Sequence, residues 1–62
     1  MVGFRTKNSV YYINQYDRTI TGGVLKDKVY HYYKLQAIIG CRAVINLTDG
    51  REITTGIVLG YV

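Results

Sequence analysis

The sequence contains no proline and only one cysteine, one histidine and four acidic residues among its 62 residues. A single cysteine excludes an internal disulfide, and one cysteine with one histidine cannot supply the four ligands of a structural zinc site. No low-complexity segment, internal repeat or linker divides the chain, so we expect a single domain over residues 1–62. A lone free thiol favours a reducing compartment, and we therefore expect a cytoplasmic location.

Long apolar runs are also missing. The chain has no stretch of the ~20 apolar residues that a membrane-spanning helix needs. Arg5 and Lys7 are not followed by the apolar core of a signal peptide, so we expect no export signal. A chain this short buries only about 60% of its unfolded surface. Homo-oligomer formation would bury more, and it stays an open alternative.

Few side chains could carry a reaction. A nucleophile needs a base within hydrogen-bond reach and a further group that orients the base. Cys41 lies in an apolar stretch, which predicts a buried and inert thiol, and His31 stands among tyrosines. The four carboxylates form no evident pair, and no glycine-rich segment carries the lysine of a phosphate-binding loop. We therefore expect a protein that is not an enzyme and that uses no cofactor or metal.

What the sequence does contain is a series of short segments rich in β-branched and aromatic residues, with turn signals between them. Residues 2–6, 10–13 and 18–21 predict the first three strands. A four-residue turn between the second and third strands would set Tyr11 opposite Ile20. Residues 24–35 are ambiguous, since they fit either a strand or an irregular arm.

The clearest pattern is the Asp49-Gly50 dipeptide, which lies between two β-branched segments and is a strong hairpin signal. A two-residue loop would mix apolar and polar side chains on both faces of the hairpin. A three-residue loop, with Gly50 in the left-handed conformation, pairs Ile45 with Ile53 and keeps the apolar side chains on one face. Because a one-residue slip would send that apolar set to the wrong face, we predict the three-residue loop.

The strand pattern predicts the fold class. Five or six short strands without a convincing helix indicate an all-β barrel of one small domain, either SH3-like or OB-like. Closing the sheet would remove edges that so small a protein cannot otherwise protect. A single helical turn over residues 33–37 is the competing interpretation of the middle segment.

Two short motifs resemble a pattern found in small proteins of bacteriophages and other mobile elements. T-K-N-S-x-Y at residues 6–11 resembles their T-x-N-S-x-Y opening, and T-T-G-I-V at residues 54–58 resembles their T-[ST]-x-[IV]-V close. Gly56 stands where the pattern often has another residue. The resemblance covers nearly the whole chain and implies a small all-β protein of phage type, but no activity. The short polar side chains of the first motif also fit a structural role at a sharp corner.

Binding is favoured over catalysis. Eight lysines and arginines against four acidic residues give a formal charge of +4, which attracts nucleic acid or an acidic protein surface. Basic and aromatic side chains are densest in K-D-K-V-Y-H-Y-Y-K at residues 26–34. The predicted partner-binding residues are Lys26, Lys28, Tyr30, His31, Tyr32, Tyr33 and Lys34, with Arg42 nearby.

Two classes of partner fit this prediction. Surfaces rich in tyrosine with basic anchors are typical of protein interfaces, and we expect a protein of the host or of the phage. The alternative is a nucleic-acid-binding barrel that holds DNA or RNA by charge and stacks bases on tyrosine rings, at ~1–3 kcal/mol per base. Tyrosine is also common at the edge of a core, and that structural interpretation competes at every ring.

Overall fold

A computed structural model describes residues 2–62 and shows an all-β protein built on one antiparallel sheet. The strands are β1 (Val2–Arg5), β2 (Val10–Asn14), β3 (Thr19–Gly22), β4 (Leu25–Gln36), β5 (Arg42–Leu47), β6 (Glu52–Ile57) and β7 (Gly60–Tyr61). Their order across the sheet is β6-β5-β4-β3-β2-β1-β7. The described residues contain no helix, and hence none that could cross a membrane. The all-β prediction is confirmed, whereas the helical turn at 33–37 is wrong because residues 33–36 belong to β4.

β4 is the longest strand and connects the two halves of the sheet. Its first half pairs with β3, where Ile20 lies opposite Tyr30, and its second half pairs with β5, where Leu35 lies opposite Ile45. The strands β6 and β7 follow one another in the chain, yet they lie at opposite ends of the sheet and no ladder joins them within residues 2–62. The sheet is therefore not closed into a barrel. It has seven strands rather than five or six, because the ambiguous middle is a strand.

The core receives side chains from both halves of the sheet. Its largest fully buried side chains are Phe4, Ile20, Leu25, Ile45, Leu47 and Val58. Phe4 and Tyr11 are partners across β1 and β2, and their rings stack with centroids 4.9 Å apart. Burial of this apolar surface is the main driving force for the fold, at about 25 cal/mol per Å² removed from water.

The carboxyl-terminal hairpin has the predicted loop. Ile45 lies opposite Ile53, the Leu47 N–H donates to the Arg51 carbonyl at 2.8 Å, and Gly50 has φ 95°. Ile45 and Leu47 are both buried. The predicted register is therefore confirmed.

The register predicted for the β2–β3 hairpin is wrong by two residues. Ile20 lies opposite Ile13 rather than opposite Tyr11. The Asn14 side chain accepts hydrogen bonds from the N–H groups two and three residues later, at 3.0 and 3.3 Å. Arg18 adopts φ 53° and completes the turn. A shift of two residues keeps every side chain on its face, so burial could not distinguish the two registers.

Candidate partner-binding surface

A bulge interrupts the ladder between β3 and β4. Residues 26–29 of β4 lie opposite the single β3 residue Thr21, because the register shifts between Ile20 and Gly22. All four residues are exposed. We call residues 26–29 the β4 bulge. Since no core contact claims their side chains, the bulge can present them to a partner.

The Thr21 hydroxyl holds the base of the β4 bulge. It lies 3.3 Å from the carbonyl oxygen of Leu25 and 3.0 Å from that of Lys28, and it donates toward both. Leu25 directly precedes the β4 bulge and Lys28 lies within it, so the hydroxyl ties the bulge to the start of the strand.

Tyr30 lies directly after the bulge and is fixed at several points. Its side chain packs against the core, and its hydroxyl donates to the two carboxylate oxygens of Asp27 at 3.0 and 2.9 Å. The Lys28 ammonium and the Arg51 guanidinium each lie 5.0 Å from the centre of the ring. Such cation–π contacts contribute about 0.5–1 kcal/mol at exposed sites. The ring is therefore already occupied by cations of the protein itself.

Arg51 is held in turn by Asp49. The Nη2 and Nε atoms of Arg51 both lie 2.9 Å from Asp49 Oδ2, and the Arg51 backbone N–H donates to Oδ1 at 3.0 Å. These hydrogen bonds lower the pKa of Asp49 below its ordinary value of 3.8. The bonds to Asp49 and to Tyr30 raise the pKa of Arg51 above its already high value. Arg51 therefore stays charged beside the Tyr30 ring.

Two of the three predicted tyrosines are partly taken by the core. Tyr30 lies opposite Ile20 and Tyr32 lies opposite Leu47. Cross-strand partners share a face of the sheet. Because Ile20 and Leu47 are buried, the two tyrosine rings lie on the core side of the sheet, where both are half-buried. Tyr33 differs: it lies where the β4–β5 register shifts, and it is 61% exposed.

The structure brings seven of the eight predicted residues onto β4 but leaves the eighth elsewhere. Lys26, Lys28, His31 and Lys34 are exposed along the strand. Arg42 begins β5, and its Nη1 donates to the carbonyl of Thr55 at 3.2 Å. Lys34 lies opposite Asn46 of β5. Arg42 is four residues from Asn46, a separation of ~13 Å along the strand at about 3.3 Å per residue.

The prediction missed the residues that fix this surface, namely Thr21, Asp27, Asp49 and Arg51. Asp27 carried a signal, because it precedes Tyr30 by three residues within the same basic run. Arg51 carried none. It reaches Tyr30 because the hairpin loop lies against β4, where the Thr48 N–H donates to the His31 carbonyl at 3.0 Å. That contact depends on the pairing of β4 with β5.

The candidate catalytic side chains are both on the surface. His31 is exposed, and Cys41 is an exposed free thiol, so the prediction of a buried thiol is wrong. Its apolar neighbours Ile38 and Ile39 are themselves 50% and 53% exposed. Within residues 2–62, no three His, Cys, Asp or Glu side chains are grouped as metal ligands.

Comparison with known proteins gives no relative. No protein-family model matches the chain, and neither a curated protein nor a solved structure matches it.

Proposed function

We propose that this protein is a non-enzymatic binding module that engages a partner protein through the β4 bulge and the side chains around it. One observation carries the proposal: Lys26, Lys28 and Val29 are exposed together, and Val29 is 58% exposed. The bulge that presents them is held in place by contacts with Thr21 and Tyr30. Protein interfaces combine apolar contact with basic and aromatic anchors. Because the bulge is already ordered by these contacts, it loses less conformational entropy when a partner binds.

The mixture of charges supports a protein partner over nucleic acid. Asp27 and Asp49 lie within the surface beside the basic side chains, and their carboxylates repel a phosphate backbone. The Tyr30 ring, already in contact with two cations, has less of its face free for a base. One observation favours the alternative: Tyr33 is exposed beside Lys34, and it could stack on a base of DNA or RNA.

The motif resemblance supports a partner from a phage or from its host. We also propose that the sheet is a small SH3-like or OB-like barrel that is left partly open. This proposal is supported by the position of β6 and β7, which are consecutive in the chain and stand at the two ends of the sheet. A residual gap between those ends is a known feature of OB-type barrels.

The test is capture by the immobilised protein from a lysate of the native host, with and without nuclease and at increasing salt. We expect one protein to be retained regardless of nuclease. A variant with Lys26, Lys28 and Lys34 all replaced by Glu should lose at least ~10-fold in affinity for that protein, equivalent to about 1.4 kcal/mol, without unfolding. Light scattering of the isolated protein would separately detect self-association.

The matched control is Arg5→Glu, which reverses an exposed charge on β1, away from the β4 bulge. Full retention of the captured protein by the triple variant would refute the proposed surface. Nuclease-sensitive binding that weakens steeply with salt would instead support the nucleic-acid alternative, because counterion release causes that dependence.

A further inference from the structure

The two sequence motifs line a single groove. It has a volume of about 470 Å³ and lies between the β1–β2 corner, residues 6–9, and the second half of β6, residues 54–57. The corner is closed by a hydrogen bond from the Thr6 N–H to the Ser9 carbonyl at 2.8 Å. A volume of this size is within the ~300–1,000 Å³ typical of ligand sites. The groove is separate from the β4 bulge and independent of the function proposed for it.

The backbone of β6 is available along one side. β6 is an end strand of the sheet, and its only ladder partner within residues 2–62 is β5. The Leu47 N–H bonds to Arg51, and Ile45 lies opposite Ile53. The alternation of an antiparallel ladder then turns the N–H and C=O of Thr54 away from β5. An exposed edge of this kind can pair with an extended peptide.

The side chains of the groove indicate the chemistry of that peptide. Lys7 and Arg42 line the groove, no carboxylate does, and neither cation forms an ion pair within residues 2–62. Apolar side chains complete the lining: Val24, Ile57 and Leu59 are 69%, 45% and 47% exposed. The groove therefore complements a segment that carries both carboxylates and apolar side chains.

Gly56 keeps part of the groove open. Its φ is not positive, so the backbone does not require glycine at this position. A Cβ added there would meet the Cβ of Thr6 at 3.6 Å, which is ordinary van der Waals contact. A larger side chain at this position would extend further into the groove. A β-branched residue such as valine would also be compatible with the strand conformation of β6.

We propose that this groove binds an extended acidic segment of a partner protein, which adds to β6 as a further strand. Carboxylates of the segment would meet Lys7 and Arg42, and its apolar side chains would cover Ile57 and Leu59. A second copy of this chain is a poor occupant, because its formal charge is +4 and like charges repel.

The test is selection from a displayed library of random ten-residue peptides, followed by titration of a selected peptide into ¹⁵N-labelled protein. We expect enrichment in Asp and Glu, amide shifts at Thr54 and Ile57, and slower exchange of the Thr54 amide. Lys7→Gln and Arg42→Gln should each weaken binding several-fold. Gly56→Val should abolish binding while leaving the unfolding midpoint within a few degrees of the parent.

Arg18→Gln is the matched control, since it removes an exposed cation outside both the groove and the β4 bulge and should leave peptide affinity unchanged. Selection of no peptide, selection without acidic enrichment, or shifts confined to the β4 bulge would each refute the proposal. Lys7→Gln keeps the test valid if Arg42→Gln or Gly56→Val fails to fold, because Lys7 is exposed and makes no hydrogen bond through its side chain within residues 2–62.

Discussion

The β3–β4 and β5–β6 hairpins each contain one interruption of the ladder, and in both a threonine hydroxyl bonds to backbone groups beside the interruption. In β5–β6 the interruption is small: Thr55 and Gly56 lie opposite Ala43 alone. The Thr55 hydroxyl accepts from the Ala43 N–H at 3.2 Å and donates to the Gly56 carbonyl at 2.8 Å. Ala43 is fully buried and Thr55 nearly so.

In β3–β4 the interruption is larger and lies at the surface. Thr21 stands opposite the four exposed residues of the β4 bulge, and the shorter of its two hydroxyl contacts is to the carbonyl of the exposed Lys28. The threonine hydroxyl thus has a different role in each bulge. Where the bulge is buried, the hydroxyl maintains the fold; where it is exposed, the hydroxyl mainly positions side chains.

The largest effect is expected from Thr55→Val. The change keeps the shape of the side chain but leaves the buried Ala43 N–H without an acceptor, which costs about 1–3 kcal/mol. Thr55→Ser retains the hydroxyl and should recover most of this loss. The free energy of unfolding, measured in urea, checks both values. Equal stability of the parent and Thr55→Val would show that the hydroxyl has no role in the buried bulge.

A smaller effect is expected from Thr21→Val. The exposed Lys28 carbonyl can be hydrated once it loses the hydroxyl, so we expect a loss of about 0.5–1.5 kcal/mol. Amide exchange in residues 26–29 should accelerate more than the change in global stability alone explains. Hydrogen exchange of both proteins is the measurement. Destabilisation as large as that of Thr55→Val would end the distinction between a buried and an exposed bulge.

The smallest effect concerns the exposed Asp49–Arg51 pair. Because hydrogen bonds from Arg51 lower the pKa of Asp49 in the folded state, the folded protein binds that proton less tightly than the unfolded chain does. The stabilising contribution is present above pH 3.8 and is lost as pH falls through the lower pKa of the folded state. The stability difference between the parent and Asp49→Asn should shrink over this range. A difference independent of pH would exclude the ion pair as its cause.

The sequence allowed correct prediction where one register buries the apolar side chains and its neighbour does not. That condition held at Ile45 and Ile53, and the loop around Gly50 was predicted correctly. It failed at Ile13 and Ile20, because a shift of two residues leaves every side chain on its face. The hydrogen bonds of the Asn14 side chain in the turn determine the register of that hairpin instead.

The candidate surface was only partly predictable for a different reason. The basic and aromatic run that forms β4 is visible in the sequence, and the exposure of its lysines follows from their charge. The contacts of Arg51 with Tyr30, and of Thr21 with the bulge, join segments that are distant in the chain or depend on a register shift. Cys41 was assigned to the interior from apolar neighbours that are themselves exposed.

The exposed position of Cys41 affects how the protein should be handled. It is the sole thiol of the chain, so air oxidation can cross-link only one copy to another and would yield a covalent pair that resembles a native dimer. Solution studies therefore require a reductant. The same thiol also accepts a single maleimide dye without any mutagenesis, which provides a uniform fluorescent derivative for affinity measurements.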